Sequence, residues 1–378
     1  MGDELGDARF RSPRAAILKS ERIPESNGSW CPVRDVEFLA LLVHRGLVPR
    51  ERAQEFLPEV EGGAALDEVL KRELGWSESQ VMRLRRTRAG EIPEVPGYEI
   101  LAKVGSGGTA DVFRAREKAT ERVIALKVLK PEATKNETTR KSFIAEARLL
   151  ERLRHPGLVN GFGVAKSGSL FFSRLEFIEG FTLLERLGEE QRFTEDEALR
   201  IALAVAEALR YLGENGVVHR DVKPGNIMLS GEGRVVLIDL GFASTEDARP
   251  SGETTVGTPA YLSPEQARGG AAADTRSDIY SLGISLFHIV VGHLPFQGSD
   301  DRDVLRKQVM ESLSSPALKG RGISPHMHYF IEKMVAKEAC DRYQSWGELI
   351  DDIRGQLAGR EDLDFERDPA RRSRGRRR

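Results

Sequence analysis

The chain has 378 residues, of which 31% are charged, and its formal net charge is -2. This near balance excludes a global field that would select nucleic acid or an anionic membrane. The two cysteines, Cys31 and Cys340, argue against a disulfide framework and suit a reducing cytosol. The most apolar run, residues 284–291, is far shorter than a bilayer span, and the N-terminus lacks the apolar core of a signal peptide. We therefore expect a cytoplasmic chain without a transmembrane segment.

The first part of the chain is predicted to hold a small helical region. Residues 1–29 mix charged residues with Pro, Ser and Gly and show no periodicity, so they are predicted to be disordered. Within residues 30–90, the stretch 41–48 resembles the stretch 70–77, and each predicts a helix, a Gly stop and a second helix. Two roles stay open for this region: a helical cap without separate activity, or a module that docks a partner.

The remaining elements favour an α+β fold. Between residues 98 and 177, β-type runs alternate with turns and surround one helix at 138–153. After Gly180 the pattern becomes largely helical. Further helices are predicted at residues 195–215, 275–292, 304–311, 325–337 and 345–357. A small β-rich lobe followed by a larger helical lobe is therefore expected across residues 98–357.

The C-terminal residues 371–378 are nearly all Arg. We predict that residues 358–378 form a basic, disordered tail. A role for this tail in binding RNA, acidic lipid or protein stays open, and no other nucleic-acid binding is expected.

A glycine-rich segment lies between the first two predicted strands. Glycines there let backbone N–H groups approach phosphate oxygens, because no Cβ stands in the way. A dinucleotide-binding fold is disfavoured because a strand, rather than a helix, follows the segment. The phosphate-binding candidates are Gly105, Ser106, Gly107 and Gly108.

The most informative stretch is the catalytic loop, residues 219–226, followed at short range by Asp239. Phosphoryl transfer to a hydroxyl needs a carboxylate at the nucleophile, a lysine at the phosphate and oxygen ligands for magnesium. Asp221 and Lys223 meet the first two needs, and Asn226 and Asp239 supply the magnesium ligands. All four lie in this order within about twenty residues, as they do in protein kinases.

A lysine within an apolar strand completes the set. Lys127 follows the glycine-rich segment at a spacing that favours a catalytic role over solvent exposure. It is expected to hold the α- and β-phosphates and to pair with a helix glutamate. Glu146 is the best candidate for that partner because apolar residues surround it in the sequence, whereas Glu137 and Glu151 read as surface charges. His219 is predicted to be structural.

Together these motifs resemble the eukaryotic-like, or Hanks-type, Ser/Thr protein kinases, and in particular their bacterial branch. The stretches 175–180, 257–267 and 277–283 support the resemblance. It implies the bilobal protein-kinase fold, with ATP and Mg²⁺ as cofactors and proteins as substrates. Departures are mild, such as Leu240 where Phe is commoner, and none removes a catalytic group.

The resemblance also implies roles for individual residues. Val112 and Ala125 would form an apolar roof over adenine, and Met228 would pack beneath it. Glu176 and Phe177 would offer backbone groups to the adenine ring. Asp278 would brace the backbone of the catalytic loop, and Glu265 would pair with Arg342.

Regulation is predicted in the activation segment, residues 239–265. Arg220 precedes Asp221, and such an arginine is often organised by a phosphate on this segment. Thr254 and Thr255 precede the Gly-Thr-Pro turn at the distance seen in relatives, and are the candidates for autophosphorylation. Thr258 is expected to bond Asp221 and Lys223.

The sequence therefore predicts a Ser/Thr protein kinase of signal transduction, which transfers the ATP γ-phosphate and is activated by autophosphorylation. The alternative is an ATP-binding pseudokinase or signalling scaffold. That alternative predicts a lost Lys, Asp or Asn, and the chain has lost none.

Overall fold

In a computed structural model, the structure describes residues 32–44, 47–88, 92–189, 192–241, 244–245, 258–269, 273–313 and 323–366. The predicted disordered segment 1–29 lies outside these ranges, as do Thr254 and Thr255. The chain divides into two compact units. The first contains the described residues up to Gly107 together with Asp111–Ile124, and the second contains Gly108–Ala110 and the described residues from Ala125 onward.

The first unit begins with four helices. They are α1 (Pro32–His44), α2 (Arg50–Glu61), α3 (Leu66–Leu74) and α4 (Glu78–Arg88). Helix α1 packs on α2, α3 packs on α4, and α3 also contacts both α1 and α2. Helix α3 ends at Gly75, whose φ of 66° is a left-handed conformation that glycine adopts without a steric penalty. The other predicted Gly stop, Gly46, lies outside the described residues.

These four helices have an apolar core of their own. Its largest buried members are Phe38, Leu42, Phe56, Leu66 and Leu70. One buried carboxylate lies beside it: Asp35 accepts a bond of 2.7 Å from Arg85 Nη2 and one of 3.0 Å from the backbone N–H of Leu66. A buried charge is tolerated where it is paired and hydrogen-bonded, so Asp35 on α1 holds both α4 and the start of α3.

The glycine-rich turn connects two antiparallel strands, β1 (Tyr98–Ser106) and β2 (Ala110–Glu117). Their register pairs Tyr98 with Glu117 at one end and Ser106 with Asp111 at the other. Two irregularities interrupt the pairing, between Ile100 and Ala102 and between Lys103 and Gly105.

Three further strands and two helices follow in the chain. The strands are β3 (Val123–Leu129), β4 (Gly161–Ser167) and β5 (Leu170–Glu176), and their order in the sheet is β3-β5-β4. Helices α5 (Pro131–Lys135) and α6 (Glu137–Arg152) lie between β3 and β4 in the chain, and α6 packs on β4. The side chain of Asn136 caps α6 by accepting a bond from the N–H of Thr139.

The rest of the second unit is largely helical. Its helices are α7 (Leu183–Gly188), α8 (Glu195–Glu214), α9 (Pro264–Ala267), α10 (Thr275–Val291), α11 (Asp301–Met310), α12 (Pro325–Met334) and α13 (Trp346–Glu366). Short strands accompany them: β6 (Gly180–Thr182), β7 (Val217–Val218), β8 (Ile227–Ser230), β9 (Val235–Leu237) and β10 (Ser244–Thr245). Helix α10 is buried along most of its length and packs on α8 and α12, so it forms the centre of this unit.

The C-terminal end differs from the prediction. Helix α13 continues to Glu366, whereas the sequence pattern placed its end at Leu357 and a disordered tail from residue 358. Residues 360–366 contain neither Pro nor Gly, so backbone propensity lets the helix continue. Residues 367–378, which include the Arg-rich end, lie outside the described ranges. Within the described residues, no helix is both long and apolar enough to cross a membrane.

Candidate active site

The catalytic loop connects β7 to β8 and brings three predicted residues together. Lys223 Nζ lies 2.7 Å from Asp221 Oδ2 and donates to Thr258 Oγ1 at 2.6 Å. Asn226 Nδ2 donates to the backbone oxygen of Asp221 at 2.9 Å and to its Oδ2 at 3.0 Å. The N–H of Thr258 donates to Asp221 Oδ1 at 3.3 Å. The ammonium of Lys223 and the amide of Asn226 therefore both lie within hydrogen-bond distance of the Asp221 carboxylate.

A buried carboxylate, that of Asp278, holds the backbone of the catalytic loop by hydrogen bonds. The N–H groups of His219 and Arg220 donate to the two carboxylate oxygens of Asp278, each at 2.8 Å. Arg220 has a φ of 67°, which is uncommon and strained for a residue other than glycine. Burial raises the pKa of Asp278 to about 7, although both N–H groups favour its charged form. The two bonds hold Arg220 in its strained conformation and thereby shape the loop before Asp221.

His219 belongs to the interior of the protein. It is 1% exposed, and burial lowers its pKa below the ordinary value. Its Nδ1 accepts a bond of 3.3 Å from the N–H of Asp221. A neutral, buried imidazole that accepts from the backbone has a structural role.

A second charged cluster lies on β3, α6 and the segment after β9. Lys127 Nζ donates to Glu146 Oε1 at 2.7 Å and to Asp239 Oδ1 at 3.1 Å. Burial alone would lower the pKa of Lys127, but the two carboxylates raise it above the ordinary value. Burial would raise the pKa of Asp239, but Lys127 and the Gly241 N–H lower it to about 2. Lys127 is thus cationic and forms ion pairs with two carboxylates, those of Glu146 and Asp239.

The side chain of Glu176 anchors the end of β5 through hydrogen bonds to Asn160 and Arg234. Its carboxylate accepts bonds from Asn160 Nδ2 at 2.8 Å and from Arg234, and its N–H donates to the Asn160 oxygen at 2.8 Å. Burial would raise the pKa of Glu176, but Arg234 and Asn160 lower it. Since protein groups engage this side chain, any role of Glu176 toward a ligand falls to its backbone. The sequence had not singled out Arg234.

The predicted nucleotide-binding residues are divided between the two units. Gly105, Ser106, Gly107 and Val112 belong to the first unit; Gly108, Ala125, Phe177 and Met228 belong to the second. A Cβ added at Gly108 would have no described atom other than those of its chain neighbours within 4 Å. The packing of the described residues therefore leaves open space beside residue 108.

Comparison with known proteins agrees with this chemistry. A model of the protein kinase domain matches residues 98–351, and the chain belongs to the protein kinase domain family. The family confirms the predicted α+β kinase fold.

The similar proteins are bacterial. A probable serine/threonine-protein kinase of Clostridium perfringens is 35% identical over 68% of this chain, and a probable serine/threonine-protein kinase PknB of Corynebacterium glutamicum is 36% identical over 69%. The serine/threonine-protein kinase PknB of Mycobacterium tuberculosis is 34% identical over 68%. The matches cover 38%, 42% and 42% of those relatives, so the chain spans about two fifths of their length. They confirm the predicted resemblance to bacterial eukaryotic-like Ser/Thr kinases.

Proposed function

We propose that this chain is a Ser/Thr protein kinase, which transfers the γ-phosphate of ATP to Ser or Thr hydroxyls of protein substrates. The observation that carries the proposal is the cluster of Asp221, Lys223 and Asn226, with the lysine 2.7 Å from the aspartate. A hydroxyl attacks a phosphate only when its proton has an acceptor and the phosphate charge is balanced. This cluster supplies a group for each need.

Each residue has a distinct part in this reaction. Asp221 would orient the hydroxyl and accept its proton as the new oxygen–phosphorus bond forms and the bond to ADP breaks. Lys223 would balance the negative charge on the transferring phosphoryl group, which a preorganised cation does at little cost in reorganisation. Thr258 joins both side chains and would hold them in this arrangement.

Protein kinases in general use ATP and Mg²⁺, and we extend both to this chain. The Nδ2 bonds of Asn226 to Asp221 leave its Oδ1 as the amide atom for a metal, and Asp239 is a carboxylate with a lowered pKa. Oxygen ligands of this kind suit magnesium, which would neutralise phosphate charge when bound. Lys127, held by Glu146, would contact the α- and β-phosphates. The remaining ATP contacts are proposed at Gly105, Ser106, Gly107, Gly108, Val112, Ala125, Met228 and the backbones of Glu176 and Phe177.

We further propose activation by autophosphorylation at Thr254 or Thr255. The buried Arg220 supports this, because burial lowers the pKa of its guanidinium below the ordinary value, so an added anion would stabilise it. Phosphosite mapping of active protein tests the idea directly. Active protein unmodified at both threonines would contradict it.

The activity itself is tested with ATP, magnesium and mass spectrometry. The parent chain should label itself or casein, whereas Lys127→Met and Asp221→Asn should lose activity by about 10²–10⁴-fold, because each removes a group that acts in the transition state. Lys141→Met is the matched control, since Lys141 is an exposed lysine paired with Glu137. It should retain parent activity. A parent that binds ATP yet transfers no phosphate would favour the scaffold alternative.

For the helical region before the kinase domain, we propose partner docking in the cytoplasm as part of signal transduction. The four helices α1 to α4 share an apolar core, so they would present a folded surface to such a partner. A chain without residues 1–90 should keep its activity toward casein and lose binding to selected partners in a pull-down. If the truncated chain binds the same partners as the parent, the helical region is better described as a cap without separate activity.

A further inference from the structure

One buried amide lies on an otherwise solvent-facing helix. In α11, Gln308 is fully buried, whereas the other side chains of this helix are partly or largely exposed. An apolar residue would fill such a position at lower cost, because a buried amide destabilises the fold unless both its ends are hydrogen-bonded. The amide therefore points to a requirement for a donor and an acceptor at this place.

Both ends of the Gln308 amide have partners. Its Nε2 donates to the backbone oxygen of Ala260 at 2.7 Å and lies 3.4 Å from that of Pro259. Its Oε1 accepts a bond of 2.6 Å from the hydroxyl of Tyr280, which in turn accepts one of 3.0 Å from Lys337 Nζ. Backbone oxygens can only accept, so the NH₂ end must face Ala260 and the oxygen must face Tyr280. The chain of bonds is thus directional and ends on the Ala260 carbonyl.

The backbone that receives this bond adjoins the proposed catalytic residues. Thr258, two residues before Ala260, contacts both Asp221 and Lys223. On the other side, the Ser281 hydroxyl donates to the Tyr261 oxygen at 2.8 Å. Gln308 holds the middle of this short segment, residues 258–261, between two fixed ends.

We propose that Gln308 is a positioning residue for the protein substrate. By fixing the Ala260 carbonyl, it sets the path of the 258–261 segment, and this path determines where a substrate chain lies relative to Asp221. The inference rests on the proposed kinase function. Gln308 acts through the backbone that it holds, without contact to the reacting atoms, so ATP binding is independent of it.

The first test compares Gln308→Met with the parent in steady-state phosphorylation of casein. Methionine has nearly the same shape and neither hydrogen-bonding end. We expect the KM for casein to rise roughly tenfold while the KM for ATP stays within about twofold. Gln297→Met is the matched control, because Gln297 is exposed near the start of α11 and should leave both values unchanged.

A merely structural role gives a different result. If Gln308→Met only lowered the folded fraction, kcat would fall and the KM for casein would stay at the parent value, which would overturn the inference. Tyr280→Phe removes the hydroxyl alone, retains the ring and should raise the KM for casein in the same direction by a smaller factor.

Hydrogen exchange supplies a readout that does not depend on activity. The amides of Thr258, Ala260 and Tyr261 should exchange faster in Gln308→Met than in the parent, and those of α8 should not. Unchanged exchange in this segment would overturn the inference even where the parent is active. A parent that transfers phosphate neither to itself nor to casein refutes the proposed function instead, which distinguishes the two failures.

Discussion

The partly buried Glu265 and the fully buried Arg342 form an ion pair with two parallel hydrogen bonds. Arg342 Nη1 donates to Glu265 Oε1 and Nη2 donates to Oε2, each at 2.8 Å. The remaining donors of the guanidinium are also engaged, on the backbone oxygens of Ala336, Arg276 and Lys337. All five N–H groups of a fully buried arginine therefore have partners. The pair joins the end of the activation segment to the loop before α13.

Removal of the Glu265 carboxylate should lower the free energy of unfolding. Glu265→Gln leaves Arg342 as a buried cation without its counter-charge, and breaking a buried pair from one side costs about 3–5 kcal/mol of unfolding free energy. Urea denaturation of the parent and the variant measures this difference. Glu137→Gln, at an exposed pair with Lys141, should change stability very little. Equal stability of Glu265→Gln and the parent would contradict the importance of the pair.

The same pair predicts a dependence of stability on acid. Burial would raise the pKa of Glu265, but Arg342 and the Ser277 hydroxyl lower it from 4.5 to about 2. A folded-state pKa below the unfolded value stabilises the fold above pH 4.5, and this contribution is lost as the pH falls through about 2. Between these values, the unfolding free energy of the parent should fall more steeply than that of Glu265→Gln. Parallel curves would show that the pair does not titrate as described.

Much of the architecture was accessible from the sequence. The β-type runs located β1 to β3, and the helix predicted at residues 138–153 matches α6 to within one residue at each end. The pairing of Lys127 with Glu146 followed from one lysine in an apolar strand and one glutamate on an apolar helix face. These features are local or belong to a motif with fixed spacing, so a single sequence contains them.

Contacts between distant segments were not accessible in the same way. Gln308 lies four residues after Val304, so helical periodicity alone places it on the same side of α11 as an apolar residue. Nothing in that pattern indicates that the side chain meets the Ala260 carbonyl, 48 residues away. The contact of Arg234 with Glu176 was not predicted for the same reason, because the two residues are 58 positions apart in the sequence. The extension of α13 was missed because helix ends depend on weak propensities.

The brace under the catalytic loop gives a prediction for activity. In Asp278→Asn, one carboxylate oxygen becomes an NH₂ group that faces a backbone N–H, so either the His219 or the Arg220 bond is lost. Fewer hydrogen bonds then hold Arg220 in its strained conformation. We therefore expect kcat to fall at least tenfold with the protein still folded. Steady-state kinetics with casein and circular dichroism measure the two properties. Asp351→Asn, at an exposed position of α13, should behave like the parent, and parent-like kcat in Asp278→Asn would refute the brace.

Replacement of glycine by alanine should have opposite effects on stability at two helical positions, Gly283 and Gly355. In Gly283→Ala, the new Cβ would lie 2.6 Å from Met334 Cβ and 3.0 Å from Val335 Cγ1, so α10 and α12 must separate. Overpacking of this kind costs about 1–3 kcal/mol, which exceeds the gain of up to about 1 kcal/mol from replacing Gly by Ala in a helix. In Gly355→Ala, the added Cβ meets no described atom within 4 Å apart from its chain neighbours and the adjacent backbone of its own helix, so the gain in propensity should remain. Thermal unfolding should therefore show a lower Tm for Gly283→Ala and an equal or higher Tm for Gly355→Ala. A Tm for Gly283→Ala at or above that of the parent would show that α10 and α12 are not closely packed at this point.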